Sequence, residues 1–199
     1  MEHFNNLLNL SSEGDALVMA GDILDYISGG NLGTLDKALK GFEKPFLSVC
    51  GNHEVSTEIP EGFVFSGVKK EIQVLSLGDM IIIGLDNSKR EISRAQIDFI
   101  KEKIAEGLPI LIVMHIPIMT DENREKLSNS GEYFQLNYDG CPSENIEFIN
   151  LLKDNSDSFI AVLAGHLHYS NTSVIANSLT QYVTGQGITG NINKYIIGE

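Results

Sequence analysis

Apolar and polar positions along the chain switch between helical and strand periods. Residues 3–12 place Phe4, Leu7 and Leu8 on one face of a helix. Residues 16–20 (ALVMA) form an unbroken apolar run, the pattern of a buried strand, which stops at Gly21-Asp22. The spacing of Leu35, Ala38, Leu39 and Phe42 predicts a helix over 34–43, with Thr34 as its cap. A second buried run at 45–49 (PFLSV) stops at Cys50-Gly51-Asn52-His53. Strand-like runs follow near 63–65, 71–76 and 80–85.

The clearest helix spans 93–106, where Ser93 and Gln96 form a capping box and Ile97, Ile100 and Ile104 line one face. Strand 109–114 runs into His115. The stretch 120–142 is mostly polar, with Gly and Pro, and reads as a long surface loop with one short helix at 122–129. A helix at 143–154 begins with Ser143 as its expected cap, and strand 159–163 runs into Gly165-His166-Leu167-His168. Short strands near 173–176, 180–184 and 194–197 complete the chain. Alternating helix and strand imply parallel pairing, while the 63–85 region and the tail read as antiparallel hairpins. The class is therefore α/β with a mixed sheet, or two stacked sheets flanked by helices, in a single domain over 1–199.

Composition narrows the setting. No apolar run reaches the ~18 residues a membrane span needs. The N-terminus, MEHFNNLLNLSSEGD, lacks the basic and apolar regions of a signal peptide. Cys50 and Cys141 form no CxxC pair, so free thiols in a reducing, cytoplasmic setting are expected. A formal net charge of −13 repels polyanions and disfavours nucleic acid as a partner. Bound divalent cations can invert that field locally, because acidic ligands inflate the negative charge of the metal-free chain.

The candidate chemistry sits at strand ends. Four of the five histidines, His53, His115, His166 and His168, follow buried runs directly, as do Asp22 and Asn52. The carboxyl ends of parallel strands converge on the ligand crevice of an α/β sheet. Taken singly, each residue has a plain reading: Asp22 as a turn or cap residue, Asn52 as part of a Gly-Asn turn, His115 as a packed histidine. His166 and His168, two apart, share one face of an extended backbone and can meet a metal together. Four separate segments that deliver metal-capable side chains to one place make the joint plain reading hard to sustain.

The ordered segments Gly21-Asp22-Ile23-Leu24-Asp25, Gly51-Asn52-His53-Glu54, Met114-His115-Ile116-Pro117 and Gly165-His166-Leu167-His168 resemble the GDxxD, GNH(D/E), isolated-histidine and GHxH motifs of the calcineurin-like metallophosphoesterases. The resemblance implies a four-layer α/β/β/α sandwich with two central sheets, and a hydrolase that cleaves a small or medium phosphate ester by attack of a metal-bridging hydroxide. It implies that Asp22 bridges two divalent ions (Mn, Fe or Zn). Asn52, His115 and His166 complete one metal site, and His168 belongs to the other. His53 assists the leaving group, and Asp25 orients His53. Neutral imidazoles and an amide oxygen keep such a site cationic enough for a phosphate dianion, and a carboxylate between two cations ~3.5–4 Å apart offsets their repulsion.

Two departures qualify the resemblance. The family opens with a DxH motif on its first strand, whose Asp and His bind the same metal as His168, and no DxH precedes Asp22. His3, without an aspartate two residues earlier, is no substitute. The first strand of the fold is therefore expected to be missing, with the natural protein beginning further upstream. Strand 16–20 then has an open edge, so the expectation is lower stability than an extended form, or a homodimer through that edge. The second departure is that Arg90, Arg94 and Arg124 lie outside every motif, unlike the arginines that hold phosphate in the Ser/Thr protein phosphatases of the superfamily. Two other readings stay open: a one-metal or non-catalytic phosphate-binding or scaffold domain, and a phosphodiesterase or nuclease on the same fold. Gly185-Gln186-Gly187-Ile188-Thr189-Gly190 fits GxGxxG by letter, but Asn191-Ile192-Asn193 follows it where a helix should open, so it reads as a turn.

Overall fold

Eight strands and four long helices build the described chain, a computed structural model that describes residues 2–55, 63, 70–125 and 135–198. In order they are α1 (Glu2–Ser11), β1 (Leu17–Met19), α2 (Gly29–Lys40), β2 (Phe46–Ser48), β3 (Ile72–Leu77), β4 (Met80–Leu85), α3 (Arg94–Glu106), β5 (Ile110–Val113), α4 (Ser143–Asp154), β6 (Phe159–Ala164), β7 (Asn171–Ala176) and β8 (Leu179–Val183). β1 and β2 pair in parallel as one sheet, and the other six strands form a second in the order β3-β4-β5-β6-β8-β7. β4, β5, β6 and β8 run parallel, and β3 and β7 pair antiparallel at the two edges. Among the described residues β1 pairs with β2 alone.

Alternation along the strands sets the layers. Ile81, Ile83 and Leu85 of β4, with Ile110 and Ile112 of β5, pack with Ile97, Ile100, Phe148 and Leu152 from α3 and α4. The opposite face of the same strands, Ile82, Leu111 and Val113, packs on Leu47, Val49 and Val18 of the small sheet. That sheet turns Leu17 and Met19 outward onto Leu32, Leu35 and Leu39 of α2, with Phe4, Leu7 and Leu8 of α1 against them. Side chains that alternate between two apolar neighbours require a layer on each side of each sheet. The result is helix, sheet, sheet, helix, as expected.

Three local expectations differ. α2 starts at Gly29, not at 34, because Ser28 caps it by accepting the N–H of Asn31 at 3.1 Å and the buried Leu32 belongs to its apolar face. Burial of Leu32 outweighs the poor helix propensity of Gly29, Gly30 and Gly33. At α4 the cap position belongs to Pro142, and the Ser143 hydroxyl turns to the carboxylate of Glu144 instead. Residues 194–197 form no strand: Tyr195 packs on Tyr182 with ring centres 5.4 Å apart, and Ile196 stays 86% exposed. Alternation specifies a strand only where a hydrogen-bonding neighbour is present. The capping box at Ser93 and Gln96 forms as expected. Residues 64–65 and 126–129, within the strand and short helix expected there, lie outside the described residues.

Candidate metal centre

Each residue of the site stands where an apolar strand runs out. After β1 the chain turns through Gly21 at φ 83° and Asp22 at φ 51°, which brings the Asp22 carboxylate against the loop after β2. That approach needs Gly51, since a Cβ there would run into Oδ1 and the backbone nitrogen of Asp22. A Cβ on Gly21 would meet His115 Nδ1 at 2.5 Å. Beyond β6, His166 and His168 also take positive φ, 69° and 61°. Left-handed conformations of non-glycine residues cost about 1–3 kcal/mol each and persist where their surroundings over-determine them.

His115 is the centre of the cluster and is buried. Its Nδ1 lies 2.7 Å from the carbonyl oxygen of Ala20, which can only accept, so Nδ1 carries the proton. Nε2 then presents a lone pair, and it faces Asp22 Oδ2 at 3.1 Å, Asn52 Oδ1 at 3.0 Å and His166 Nδ1 at 3.1 Å. Ligand atoms of His115, Asp22 and His166 all lie within 4.8 Å of one another. Metal-bound nitrogen and oxygen sit ~2.0–2.2 Å from a small divalent ion, so neighbouring ligand atoms lie ~3 Å apart, as here. Lone pairs gathered this way repel unless a cation sits among them, and a ring N–H tied to a backbone carbonyl is the usual support of a metal-bound imidazole. The donor set therefore fits a divalent ion.

The Asp22 carboxylate is aimed by a second bond, since its Oδ1 accepts the backbone N–H of His53 at 3.0 Å and leaves Oδ2 for the cluster. Burial pushes its carboxyl up, but its contacts with His115 and with the N–H of His53 outweigh this and hold it below the ordinary value. His53 lies at the exposed rim, its Nε2 3.9 Å from Asp22 Oδ2. His53 Nδ1 meets the Asp25 carbonyl oxygen at 2.9 Å and the Asp25 carboxylate at 3.3 Å. The carbonyl is the largest cause of a raised His53 pKa; partial burial opposes it, and the carboxylates of Asp22, Asp25 and Glu54 add to it. Asp25 thus meets His53 through its backbone as well as its side chain.

His168 stands apart from the cluster and is exposed. The backbone is not extended across His166 and His168, as the spacing argument assumed, because the chain bends sharply: the N–H of Leu167 bonds to the carbonyl of Gly165 at 2.8 Å. The three arginines are occupied elsewhere, with Arg90 stacked 3.8 Å over Tyr138, Arg94 paired with Glu147 and Arg124 with Asp121.

Glu54 is the residue whose part the sequence did not disclose. Its buried carboxylate accepts the N–H groups of Gly51 at 2.7 Å, Leu24 at 2.9 Å and Asp22 at 3.0 Å, tying the two ligand loops together. Burial pushes its carboxyl up, the hydrogen bonds from Leu24 and Gly51 oppose this, and the Asp22 charge adds to the rise. The one available signal was an acidic residue set directly behind Asn52 and His53.

The sequence profile of the calcineurin-like phosphoesterases matches residues 1–170. The chain belongs to this family. It is a hydrolase, a metal-dependent phosphoesterase in the general sense that the family defines. Among solved structures, a dimetal phosphatase from Danio rerio superposes on it with a TM-score of 0.62 at 14% identity, over 94% of this chain and 78% of that one. A protein assigned as a 5′-nucleotidase from Staphylococcus aureus, solved in complex with alpha-ketoglutarate, gives a TM-score of 0.51 at 10% identity. That match covers 94% of this phosphoesterase and 43% of the Staphylococcus aureus chain, so this chain spans less than half of it. These likenesses show the shared fold. No curated protein sequence matches the chain. Among the described residues no helix is long and apolar enough to cross a membrane.

Proposed function

We propose that this phosphoesterase cleaves a small or medium-sized phosphate ester at the cluster of Asp22, Asn52, His115 and His166, which together hold one divalent cation. The supporting observation is His115, whose Nδ1 is tied to Ala20 and whose Nε2 faces three further donor atoms at 3.0–3.1 Å. A divalent ion bound there supplies Lewis-acid activation of water and of a phosphoryl oxygen. The protein's own part is positioning and proton transfer. Asp22 offsets the charge of the cation, and its half-buried carboxylate stays ionised. His53, at the rim with its raised pKa, is held to donate a proton to the departing oxygen. Asp25 holds the His53 ring through Nδ1, which leaves Nε2 to face the substrate.

His168 and Asp22 are the protein groups assigned to a second cation. Among the described residues His168 stands outside the cluster that gathers Asp22, His115 and His166, so an ion shared by His168 and Asp22 is held more weakly than the first. This difference favours, as the second reading, a one-metal domain that binds phosphate without turning it over. Hydrolysis of an aryl phosphate, compared with an aryl phosphodiester in the presence of Mn²⁺, separates the readings. Faster monoester turnover supports the proposal, faster diester turnover points to a phosphodiesterase, and no turnover with retained Mn²⁺ binding points to the one-metal domain.

A further inference from the structure

Nε2 of His115 is free to face a ligand because every other polar group of the residue is tied down. Its carbonyl accepts the N–H of Gly165 at 3.0 Å, and its ring Nδ1 lies 2.7 Å from the Ala20 carbonyl. Its backbone N–H goes to a side chain, the amide of Asn87. Asn87 sits two residues beyond β4 and is completely buried. Its Oδ1 accepts from the backbone N–H groups of His115 and Ile116, each at 3.0 Å, and its Nδ2 donates to the Ile116 carbonyl at 2.7 Å.

The location explains why an amide is needed. β4 and β5 pair in parallel, and their paired residues end at Gly84 and Val113. On the β6 side the strand bonding continues past that point, with Met114 N–H to the Leu163 carbonyl and Gly165 N–H to the His115 carbonyl, both at 3.0 Å. On the β4 side a single side chain does the work of a strand, presenting one acceptor and one donor to the peptide groups of residues 115 and 116.

We propose that Asn87 is a positioning residue of the metal centre, fixing the His115 backbone so that Nε2 stays aimed at Asp22, Asn52 and His166. It acts through His115 and does not itself reach the cation. The inference rests on the reading of the cluster as a cation site. A merely structural peg is the competing account, and the chain contains a matched control. Asn145 is as deeply buried and makes the same kind of bonds: Oδ1 accepts from Ile92 N–H at 2.8 Å, and Nδ2 donates to the carbonyls of Arg90 at 2.8 Å and Leu136 at 3.0 Å. None of its partners is a candidate ligand.

The test is calorimetric titration of Mn²⁺ into wild type, His115→Ala, Asn87→Ala, Asn87→Asp and Asn145→Ala, with the melting temperature of each metal-free protein. Loss of a group that supports a metal ligand typically costs ~10–100-fold in affinity, which is the expectation for Asn87→Ala. Asn145→Ala is expected to lower the melting temperature comparably and to bind Mn²⁺ like wild type. Asn87→Asp keeps an acceptor for both N–H groups and, as the protonated acid, a donor for the Ile116 carbonyl, and recovers most of the affinity. If Asn87→Ala does not fold, Asn87→Ser replaces it: its hydroxyl is too short to hold both N–H groups, so it binds Mn²⁺ more weakly than Asn87→Asp. Equal affinity in the Asn87→Ala (or Asn87→Ser) and Asn145→Ala proteins overturns the positioning role. Equal affinity in wild type and His115→Ala overturns the cation site itself, which is a separate outcome.

Discussion

The two sheets contribute to the candidate metal centre in different ways. The six-stranded sheet supplies the imidazoles, from loops behind β5 and β6, and both strands have hydrogen-bonded neighbours on either side. The small sheet supplies the carboxylate and the amide oxygen, from loops behind β1 and β2, strands of three residues each. On the large sheet, apolar packing on both faces fixes the strand ends. The small sheet is also packed on both faces, and hydrogen bonds to two carboxylates add to that packing: the three N–H groups gathered by Glu54, and the His53 N–H on Asp22. Glu54 thus ties both loops of the carboxylate half at once, whereas Asn87 on the large sheet holds one imidazole loop.

The largest effect that sharpens the contrast is at the rim. His53→Ala is expected to lower turnover ~10²–10⁴-fold, the usual cost of losing an acid–base group, with metal content unchanged. Elemental analysis beside steady-state kinetics checks it; a matching loss of metal would move His53 into the ligand set.

Next in size is Glu54→Gln. The substituted amide keeps one acceptor oxygen and sets an NH₂ group against backbone N–H donors, so at least one buried group loses its partner, at about 1–3 kcal/mol. Chemical denaturation should show that loss, and Mn²⁺ affinity should fall with it, because the same contacts hold Asp22 and Gly51. A stability loss with unchanged affinity would break the claim that Glu54 couples the two loops.

Much of this division could be read along the chain. Unbroken apolar runs located β1, β2, β5 and β6, and the residues that end those runs converge in space. The capping box at Ser93 marked the start of α3 because its signal is wholly local. Contacts between distant segments were not legible. Glu54 meets Leu24, and Asn87 meets His115, across roughly thirty residues, and no periodicity encodes such a pair. The start of α2 was missed because burial of Leu32 overrides the glycines around it. The face shared by His166 and His168 was assigned for an extended backbone, while both residues have positive φ.

Smaller effects locate the edges of the site. The Asp25 side chain is 86% exposed, and its carbonyl raises the His53 pKa more than its charge does. Exposed ion pairs contribute up to about 1 kcal/mol, so Asp25→Asn should slow turnover no more than ~5-fold. Proton NMR of the metal-free variant should still find His53 titrating above its ordinary value of 6.5.

The smallest effect lies on the helix layer of the large sheet, where Arg94 and then Lys101 hold the exposed Glu147 carboxyl down at about 2. A folded-state pKa below the unfolded one stabilises above the unfolded value of 4.5, and that contribution is lost as pH falls towards about 2. Glu147→Gln should therefore cost a small drop in melting temperature near neutral pH that vanishes near pH 2, with Mn²⁺ affinity untouched.

The central claim is that residues from both sheets hold one cation, and Asp22→Asn tests it most directly. The substitution removes the carboxylate that the described residues bring to the cluster, while leaving an oxygen to accept the His53 N–H. Calorimetric titration of Mn²⁺ should show one tight site in the wild-type chain, weakened more than ~100-fold in the variant, beyond the usual cost of losing a mere supporting group. Unchanged affinity would remove Asp22 from the site and contradict the account.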